Sequence, residues 1–363
     1  MKAALRPRRI AARGRDEGWE SVIWIGAGLL EAAATRLVSP SGRFVLVSSA
    51  GAGAPARKIR ASLAGQILAD VEIDDREEAK TLAEVSRIAD AALAAGVRRD
   101  DALVAVGGGV VCDVAGFAAA ILLRGLPWNA VPTTTGAMAD AAIGGKTGVD
   151  HSAGKNLLGA FHPPRTVVID PRAAATLSDR DYRAGLVEGF KAAWIADAEL
   201  SARAERDLDR ILAREEGALL DLVTGAAAIK AGIVSADLKE ADRRRLLNFG
   251  HTLGHAFEAA GGYRQLRHGE AVAWGIAAAV ELSRTRAGLP AGDAGRVRDV
   301  LRRLGPFPEP SREGSLLASY LTRDKKSTAR GIAAVVLEAI GRARILEAVS
   351  PAEWLDHASR VKL

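Results

Sequence analysis

The sequence predicts a two-part chain, with an α/β N-terminal half and a mainly α-helical C-terminal half. Strand and helix signals alternate from about residue 21 to residue 171, which is typical of a mainly parallel sheet with helices on both faces. After Pro171 the strand signal nearly disappears and helical periodicity dominates. We therefore place the boundary near residues 172–178, giving one domain over 1–175 and a second over 176–363.

Each element of the first half is predicted from a local pattern. Short apolar runs that end in glycine, proline or polar turns predict strands at 21–28, 44–51, 70–74, 101–107, 128–135 and 165–171. Helical periodicity predicts helices over 58–68, over 77–96 and after the triple glycine at 107–109. In the second half, residues 331–349 fit either a helix or a short hairpin.

Composition predicts a soluble globular protein. The 363 residues are 48% hydrophobic and 26% charged, and no run of about 18 uncharged apolar residues indicates a membrane span. The arginine-rich N-terminus has no apolar core before a cleavage site, so we interpret it as a poorly ordered or locally variable start rather than a secretory signal. One cysteine, Cys112, excludes an internal disulfide, and we expect a cytoplasmic location.

The net charge of +6 raises the question of nucleic acid. The arginines are scattered among acids on helix-like segments such as 203–216, which is typical of solvated helix faces. A small anionic substrate explains the lysines and arginines better, and we expect neither a nucleic-acid nor a membrane partner.

A glycine-rich turn and two polar positions indicate a nucleotide. Gly107, Gly108 and Gly109 lie between a strand and a helix, where backbone N–H groups can meet a pyrophosphate, although tight helix–strand packing explains the same glycines. Asp113 lies one turn into that helix, and Thr133 and Thr134 end the next strand. Together these features predict a nucleotide-binding domain.

The stretch 140–161 carries Lys146 and Lys155 in glycine-rich surroundings. We predict a basic loop that binds phosphate or carboxylate, with a solvated surface loop as the alternative. The stretch has no Walker A pattern, so transfer from a nucleoside triphosphate is not indicated.

Three of the six histidines, His251, His255 and His268, fall within residues 246–275. His251 and His255 share one face if the segment is helical, which suits metal ligation, acid–base catalysis or simple local pairing. The third histidine, which opens a His-Gly-Glu turn, favours a metal site. A catalytic zinc site commonly takes a carboxylate as well, which these residues do not supply.

Read together, the motifs resemble those of the 3-dehydroquinate synthase family, within the sugar phosphate cyclase superfamily. The resemblance covers roughly residues 20–350 and rests on GGGVVCD, PTT, GGKTGVD, GKNLLGAF, GLVEGFK, LLNFGHTLGH, HGEAV and RDKK in this order. It implies an α/β NAD-binding domain, a mainly helical metal- and substrate-binding domain, and a site in the cleft between them.

The resemblance also implies a reaction. Members of the family are lyases of the shikimate pathway of aromatic amino acid biosynthesis, and they convert 3-deoxy-D-arabino-heptulosonate 7-phosphate to 3-dehydroquinate and phosphate. The steps are transient oxidation by NAD, phosphate elimination, re-reduction and intramolecular aldol closure. The expected cofactors are NAD and a divalent metal, zinc or alternatively cobalt.

Residue roles follow from the resemblance by position in the motifs. The metal ligands are Glu188, His251 and His268, and His255 is an acid/base histidine beside them. The NAD set is Glu77, Lys80, Gly107, Gly108, Gly109, Asp113, Thr133, Thr134, Lys146 and Lys155. The substrate and catalytic set is Arg124, Asp140, Lys146, Asn156, Lys191, Lys230, Arg244, Asn248, Lys325 and Lys326. The family arginine matching Arg124 reaches the neighbouring subunit's site, which implies a homodimer.

The chain departs from the family pattern at Gly148-Val149-Asp150, where GGKTAVN is common, and at Cys112, where glycine is usual. The main alternative is a sister cyclase acting on sedoheptulose 7-phosphate or a related sugar phosphate. A glycerol dehydrogenase-like oxidoreductase and a non-enzymatic metal- or nucleotide-binding module are further alternatives. Lys230, Arg244, Asn248 and the 324–326 stretch favour a substrate that also carries a carboxylate.

Overall fold

The computed structural model describes residues 7–14, 18–323, 327–328 and 331–363. The chain divides into two compact units. Unit 1 comprises Met1–Ser178 and Leu219–Lys239, and unit 2 comprises Asp179–Ala218 and Glu240–Leu363. Our sequence-based division at 175/176 assigns 219–239 to the second domain, whereas the contacts group this segment with unit 1.

Unit 1 is built on a seven-stranded sheet with the order β1-β2-β9-β6-β5-β3-β4, in which only the β1–β2 pair is antiparallel. Its strands, together with the separate β7–β8 pair, are β1 (Arg8–Arg13), β2 (Glu20–Ile25), β3 (Phe44–Ser49), β4 (Ile67–Ile73), β5 (Ala102–Gly107), β6 (Trp128–Pro132), β7 (Lys146–His151), β8 (Gly154–Phe161) and β9 (Thr166–Ile169). The helices among them are α1 (Gly53–Ser62), α2 (Leu82–Ala94) and α3 (Gly109–Ile121). Strands β3, β5, β6 and β9 are buried throughout, as expected for parallel strands covered on both faces. The predicted α/β class is confirmed.

Several local predictions in unit 1 are wrong. Residues 8–13, which we interpreted as part of a variable N-terminus, form strand β1 beside β2. The helix predicted over 58–68 ends at Ser62, since residues 67 and 68 already belong to β4. The helix predicted to begin at residue 77 begins at Leu82, where the Thr81 side chain accepts a hydrogen bond from the Glu84 backbone N–H.

The predicted glycine-rich loop at 140–161 is largely an antiparallel hairpin of β7 and β8. Gly148 and Gly159 are cross-strand partners. A Cβ at Gly148 would lie 2.6 Å from the Leu158 carbonyl oxygen, and one at Gly159 would lie 2.2 Å from the Thr147 carbonyl oxygen. These glycines therefore allow two backbones to approach closely, which is a different use from a flexible loop.

Unit 2 is mainly helical, and the prediction of a helical C-terminal half is confirmed. The helices that follow Ser178 are α4 (Asp179–Ala196), α5 (Ala198–Arg206), α6 (Leu208–Leu212), α7 (Glu216–Ala236), α8 (His251–Ala260), α9 (His268–Arg286), α10 (Ala291–Leu304), α11 (Gly314–Arg323) and α12 (Pro351–Arg360). From Leu219 onward, α7 belongs to unit 1. A three-stranded antiparallel sheet is formed by β10 (Ser327–Thr328), β11 (Gly331–Ala339) and β12 (Arg342–Val349). Of the two readings of 331–349, the hairpin is correct, with its turn at Gly341 in a left-handed conformation (φ 84°).

Helix α7 is long and apolar enough to cross a membrane on length and composition alone, with a mean hydropathy of 1.6 over its most apolar window. Of that window, 61% is buried inside the protein. A single helix of this kind is weak evidence for a membrane span, because the core helix of a soluble protein meets the same criterion.

Helices α8 and α9 approach each other closely through glycines. A Cβ at Gly275 would lie 1.9 Å from the Gly250 carbonyl oxygen, and a Cβ at Gly254 would lie 3.3 Å from the Ala271 carbonyl oxygen. Gly250 itself precedes α8 in a left-handed conformation, with φ 80°. Helix α9 approaches α4 in the same way, since a Cβ at Gly269 would lie 1.9 Å from the Ala184 carbonyl oxygen. These contacts bring the histidines of α8 and α9 close to the side chains of α4.

Candidate active site

Three histidines form a cluster in unit 2. His251 begins α8, His255 lies one turn later, and His268 begins α9. Their ring centroids are 5.3 Å apart for His251 and His255, 5.2 Å for His251 and His268, and 6.1 Å for His255 and His268. The sequence-based expectation that the three histidines would form one group agrees with this geometry.

Glu188 of α4 supplies a carboxylate to the cluster. Its Oε1 lies 3.9 Å from Nε2 of His251 and 3.5 Å from Nε2 of His268. One turn further along α4, the Lys191 ammonium lies 2.5 Å from Glu188 Oε2, and both side chains are almost fully buried. The pair shows why a charged carboxylate can persist here, because a buried anion requires a nearby cation.

The Glu188, His251 and His268 donors fit a divalent metal of the zinc type. The three ligand atoms lie within 4.8 Å of one another. Zinc bonds of 2.0–2.2 Å in a tetrahedron place ligand atoms roughly 3.4 Å apart, close to the separations between Glu188 and the two histidines. Two imidazoles and one carboxylate also form a common catalytic zinc set, which leaves a position open for substrate. His255, Glu258 and His268 form a second group of donors within the same distance limit.

In both predicted histidine ligands, the Nδ1 atom has a hydrogen-bond acceptor nearby. Nδ1 of His251 lies 3.3 Å from the Phe249 carbonyl oxygen, and Nδ1 of His268 lies 3.3 Å from Oε2 of Glu258. Packing against protein atoms alone lowers the pKa of His268, but the carboxylates of Glu258 and Glu188 outweigh this effect and raise it to about 10. The surroundings of His268 thus strongly favour a positive charge, which a proton or a metal cation can supply.

A second group of predicted residues meets in unit 1 around Lys80. The buried Lys80 ammonium donates to Asp113 Oδ2 at 2.8 Å and to Asn156 Oδ1 at 2.5 Å. Glu77 Oε1 lies 3.7 Å from the same ammonium and 3.0 Å from Nζ of Lys155. Burial alone lowers the pKa of Lys80, but the carboxylates of Asp113 and Glu77 raise it above its usual range. Burial raises the pKa of Asp113, and Lys80 opposes this shift.

Asp150, where the chain departs from the family pattern, borders this group. Its Oδ1 accepts a hydrogen bond from the backbone N–H of Asn156 at 2.8 Å, while its own N–H donates to the Lys80 carbonyl oxygen at 2.8 Å. Asn156 has a left-handed backbone (φ 52°), which asparagine tolerates better than most residues. Burial is the main cause that raises the pKa of Asp150. The departure therefore adds an acid beside Lys80 and fixes the turn that carries Asn156.

The triple-glycine turn packs closely against its neighbours, as the packing explanation of these glycines requires. A Cβ at Gly107 would lie 2.6 Å from Val111 Cγ2, so packing of α3 on β5 requires glycine there. Gly108 is the N-cap residue of α3, and a Cβ on it would lie 3.1 Å from Thr134 Cγ2. The backbone N–H of Thr133 donates to the Gly107 carbonyl oxygen at 2.9 Å. The turn and the two threonines are adjacent at the ends of β5 and β6, where open α/β sheets bind ligands.

The other predicted residues are distributed between the units. In unit 1, the buried Lys230 of α7 donates to the Asp140 backbone carbonyl at 2.6 Å and lies 2.7 Å from its carboxylate, whereas Arg124 and Lys146 are exposed. In unit 2, Arg244 is buried and the Asn248 amide donates to Glu240 Oε1 at 2.5 Å. Lys325 and Lys326 lie outside the described residues.

Sequence reasoning missed Glu258 and Glu240 as partners of site residues. Glu258 follows His255 by three positions on α8, a spacing that places both on one helix face and was available from the sequence. Glu240 has a left-handed backbone (φ 61°) and lies before the short 3-10 helix Arg243–Asn248 that ends at Asn248, so no helical periodicity joins the two residues.

The solved structures that resemble this chain define its class. A 2-epi-5-epi-valiolone synthase from Streptomyces hygroscopicus subsp. jinggangensis 5008, solved with NAD+ and Zn2+ bound, has a TM-score of 0.82 and 30% identity, and the match covers 97% of this chain and 98% of that one. A 2-deoxy-scyllo-inosose synthase complexed with carbaglucose-6-phosphate, NAD+ and Co2+ shares the fold, with a TM-score of 0.83, 24% identity and coverage of 98% and 100%. The fold is therefore that of the sugar phosphate cyclases.

The sequence comparisons identify the family. The model of the 3-dehydroquinate synthase N-terminal domain matches residues 70–184, and that of the C-terminal domain matches residues 185–327. A 3-dehydroquinate synthase of Geobacter metallireducens (strain ATCC 53774 / DSM 7210 / GS-15) is 44% identical over 287 residues, which are 79% of this chain and 80% of that protein. This chain belongs to the 3-dehydroquinate synthase family, and the family resemblance found in its motifs is confirmed.

Proposed function

We propose that this chain converts 3-deoxy-D-arabino-heptulosonate 7-phosphate into 3-dehydroquinate and phosphate. The observation that carries the proposal is the Glu188, His251 and His268 donor set, which lies within the segment matched by the family's C-terminal model. Relatives named 3-dehydroquinate synthase, 39–44% identical over most of the chain, support the same reaction.

The metal-site residues have separable tasks in this reaction. Glu188, His251 and His268 would hold a zinc-type cation. When bound, this cation supplies Lewis acidity and NAD supplies a reversible hydride acceptor. The Lys191 ammonium keeps the Glu188 carboxylate ionised in its buried position. The ring of His255 is exposed and lies one turn from His251, which supports a role in accepting or donating a proton at a substrate hydroxyl.

The substrate carries a phosphate and a carboxylate, so it requires cationic partners. Lys191, Lys230 and Arg244 are buried, and buried cations bind anions more strongly than solvated ones do. Asp140 fixes the position of the Lys230 ammonium through two contacts. We assign Lys230, Arg244 and Asn248 to the substrate, together with Lys325 and Lys326 of the sequence motif.

The Lys80 group and the glycine turn provide the NAD part of the proposal. Glu77, Lys80, Asp113 and Lys155 form one connected set of charges in unit 1, and Gly108 lies against Thr134. We propose this unit as the NAD-binding domain and unit 2 as the metal- and substrate-binding domain. The exposed, left-handed Arg124 (φ 68°) is available to a neighbouring subunit, which supports the proposed homodimer. We also propose that the enzyme is soluble and cytoplasmic.

The decisive experiment is phosphate release from 3-deoxy-D-arabino-heptulosonate 7-phosphate with catalytic NAD and zinc, run beside sedoheptulose 7-phosphate. We expect release from the heptulosonate alone, loss of release after chelation, and no accumulation of NADH. Release from sedoheptulose 7-phosphate alone would assign the chain to a sister cyclase instead. Stoichiometric NADH would indicate a dehydrogenase.

Two variants test the residue assignments. His268→Ala should abolish both stoichiometric zinc and activity, so full zinc retention contradicts its role as a ligand. Lys230→Ala should raise KM for the heptulosonate strongly while leaving NAD affinity unchanged. An equal loss of affinity for both ligands would show that Lys230 does not act on the substrate specifically.

A further inference from the structure

We propose that Glu258 is a positioning residue that holds the His268 ring with Nε2 directed at the metal site. The inference rests on the proposed function, because it assigns a partner to one of the three proposed metal ligands. It does not depend on which sugar phosphate the enzyme converts.

The His268 ring lies between two carboxylates. Its Nδ1 is 3.3 Å from Glu258 Oε2, and its Nε2 is 3.5 Å from Glu188 Oε1. A neutral imidazole carries one proton, and a hydrogen bond from Nδ1–H to a carboxylate leaves the Nε2 lone pair available to a metal. Carboxylate partners of this kind fix both the tautomer and the orientation of metal-binding histidines.

His268 needs such a partner more than His251 does. The side chain of His268 is 48% exposed, whereas that of His251 is 11% exposed and is surrounded by protein. His268 is also the first residue of α9, where no preceding helical turn packs against its side chain. The ring of His251 is confined by its neighbours and by the Phe249 carbonyl. The half-exposed ring of His268 has Glu188 on its Nε2 side, and Glu258 is the acceptor on its Nδ1 side.

Glu258 itself is well placed to hold the ring. It is 3% exposed and lies on α8, the helix that also carries His251 and His255. The close glycine contacts between α8 and α9 fix the distance between Glu258 and His268. A buried carboxylate on a packed helix has little rotational freedom, so its oxygen is a fixed acceptor for the exposed ring.

The alternative is that Glu258 binds a metal directly, since His255, Glu258 and His268 could form a second donor group. In that arrangement Nδ1 of His268 would have to release its proton and bind one cation while Nε2 binds another. The positioning role requires no second cation and uses the hydrogen bond that the structure contains. Metal stoichiometry separates the two alternatives.

The test measures metal binding by the full-length protein without substrate. Apo protein is titrated with zinc against a chromophoric chelator, and with cobalt while its visible absorption is recorded. Glu258→Ala should weaken zinc affinity about 10–100-fold and alter the cobalt spectrum, with one metal per chain in every variant. Glu258→Gln should recover part of that loss, because its amide oxygen still accepts from Nδ1–H.

The control is Glu281→Gln, which changes a glutamate on α9 that pairs with Arg284 and Arg298 and lies outside the donor groups. Its zinc affinity should equal that of the wild type. Wild-type zinc affinity together with an unchanged cobalt spectrum in Glu258→Ala would overturn the proposal. So would two metal ions per chain in the wild type that fall to one in Glu258→Ala, because Glu258 would then be a metal ligand.

If Glu258→Ala does not fold without metal, Glu258→Met replaces it, since it keeps most of the side-chain volume and removes the carboxylate acceptor. Zinc affinity in Glu258→Met that equals the wild-type value would overturn the proposal. The inference and the proposed function fail separately. If zinc affinity depends on Glu258 but the protein does not convert the heptulosonate, the inference stands and the proposed function fails. If the protein converts the heptulosonate and its zinc affinity does not depend on Glu258, the proposed function stands and the inference fails.

Discussion

Substitution of Gly275 by alanine should disturb both stability and metal binding, because this glycine sets the distance between α8 and α9. The added Cβ would lie 1.9 Å from the Gly250 carbonyl oxygen and 2.8 Å from the Gly254 nitrogen. A relaxed carbon–oxygen contact is about 3.3 Å, so the two helices must separate locally by about 1.4 Å. Both obstacles are backbone atoms of α8 or of the residue that precedes it, and no side chain can rotate away to make room.

The magnitude follows from two effects. Overpacking of a close contact typically costs about 1–3 kcal/mol of unfolding free energy. The displacement of about 1.4 Å also exceeds the roughly 0.2 Å tolerance of metal–ligand distances, and it separates His251 on α8 from His268 on α9. We therefore expect a stability loss of about 1–3 kcal/mol and a zinc affinity more than about tenfold weaker.

Urea unfolding of the zinc-free protein and zinc titration against a chelator measure the two effects. Gly295→Ala is a matched control, since Gly295 lies within α10 and its added Cβ meets no atom within 4 Å. That variant should gain about 0.5–1 kcal/mol from the better helix propensity of alanine and keep its zinc affinity. Wild-type stability together with wild-type zinc affinity in Gly275→Ala would refute the argument from helix spacing.

Three further predictions follow from buried polar contacts. Lys191→Met removes the ammonium 2.5 Å from Glu188, so the free energy of unfolding of the zinc-free protein, measured in urea, should fall by about 3–5 kcal/mol. The zinc-loaded protein should lose less, because the metal cation also compensates the Glu188 charge. An equal loss in both states would contradict this prediction. Asp150→Asn keeps an acceptor for the Asn156 N–H but removes a carboxylate, and burial raises the pKa of that carboxylate, so Tm should rise at pH 7. The gain in Tm should shrink as the pH falls through the raised pKa. It should be lost below the unfolded-state pKa of about 3.9, where the carboxyl is protonated in both folded and unfolded protein. A gain independent of pH would show that its charge is not the cause. Tyr182→Phe removes the buried hydrogen bond from the Tyr182 hydroxyl to the Ile211 carbonyl (2.6 Å) and should cost about 1–3 kcal/mol by urea unfolding, whereas an unchanged midpoint would mean that water replaces the hydroxyl.

The sequence predicts the features of this site that depend on local spacing. His251 and His255 are four residues apart on one helix, and the glycine turn lies directly between a strand and a helix. Glu188 is 63 residues before His251, so no periodicity joins them, and it was assigned only through the family motif. The contact between Lys80 and Asn156 likewise depends on how β7 and β8 pair, and this pairing was not predicted.

Two of the errors have identifiable physical causes. Glycine marks flexible turns, but it also marks places where two backbones touch, and local sequence does not distinguish the two uses at Gly148 and Gly159. The strand at 8–13 was missed because its pairing with β2 stabilises it, while its arginine-rich composition favours solvent.

The interleaving of the two units has a consequence for synthesis on the ribosome. Unit 1 needs Leu219–Lys239, which leaves the ribosome about 60 residues after Ser178. At translation rates of about 5–20 residues per second, the last segment of unit 1 is complete roughly 3–12 s after Ser178, while α4, α5 and α6 of unit 2 have already been made. The N-terminal unit therefore cannot be completed before part of the second has emerged, and the two must mature as overlapping rather than successive events.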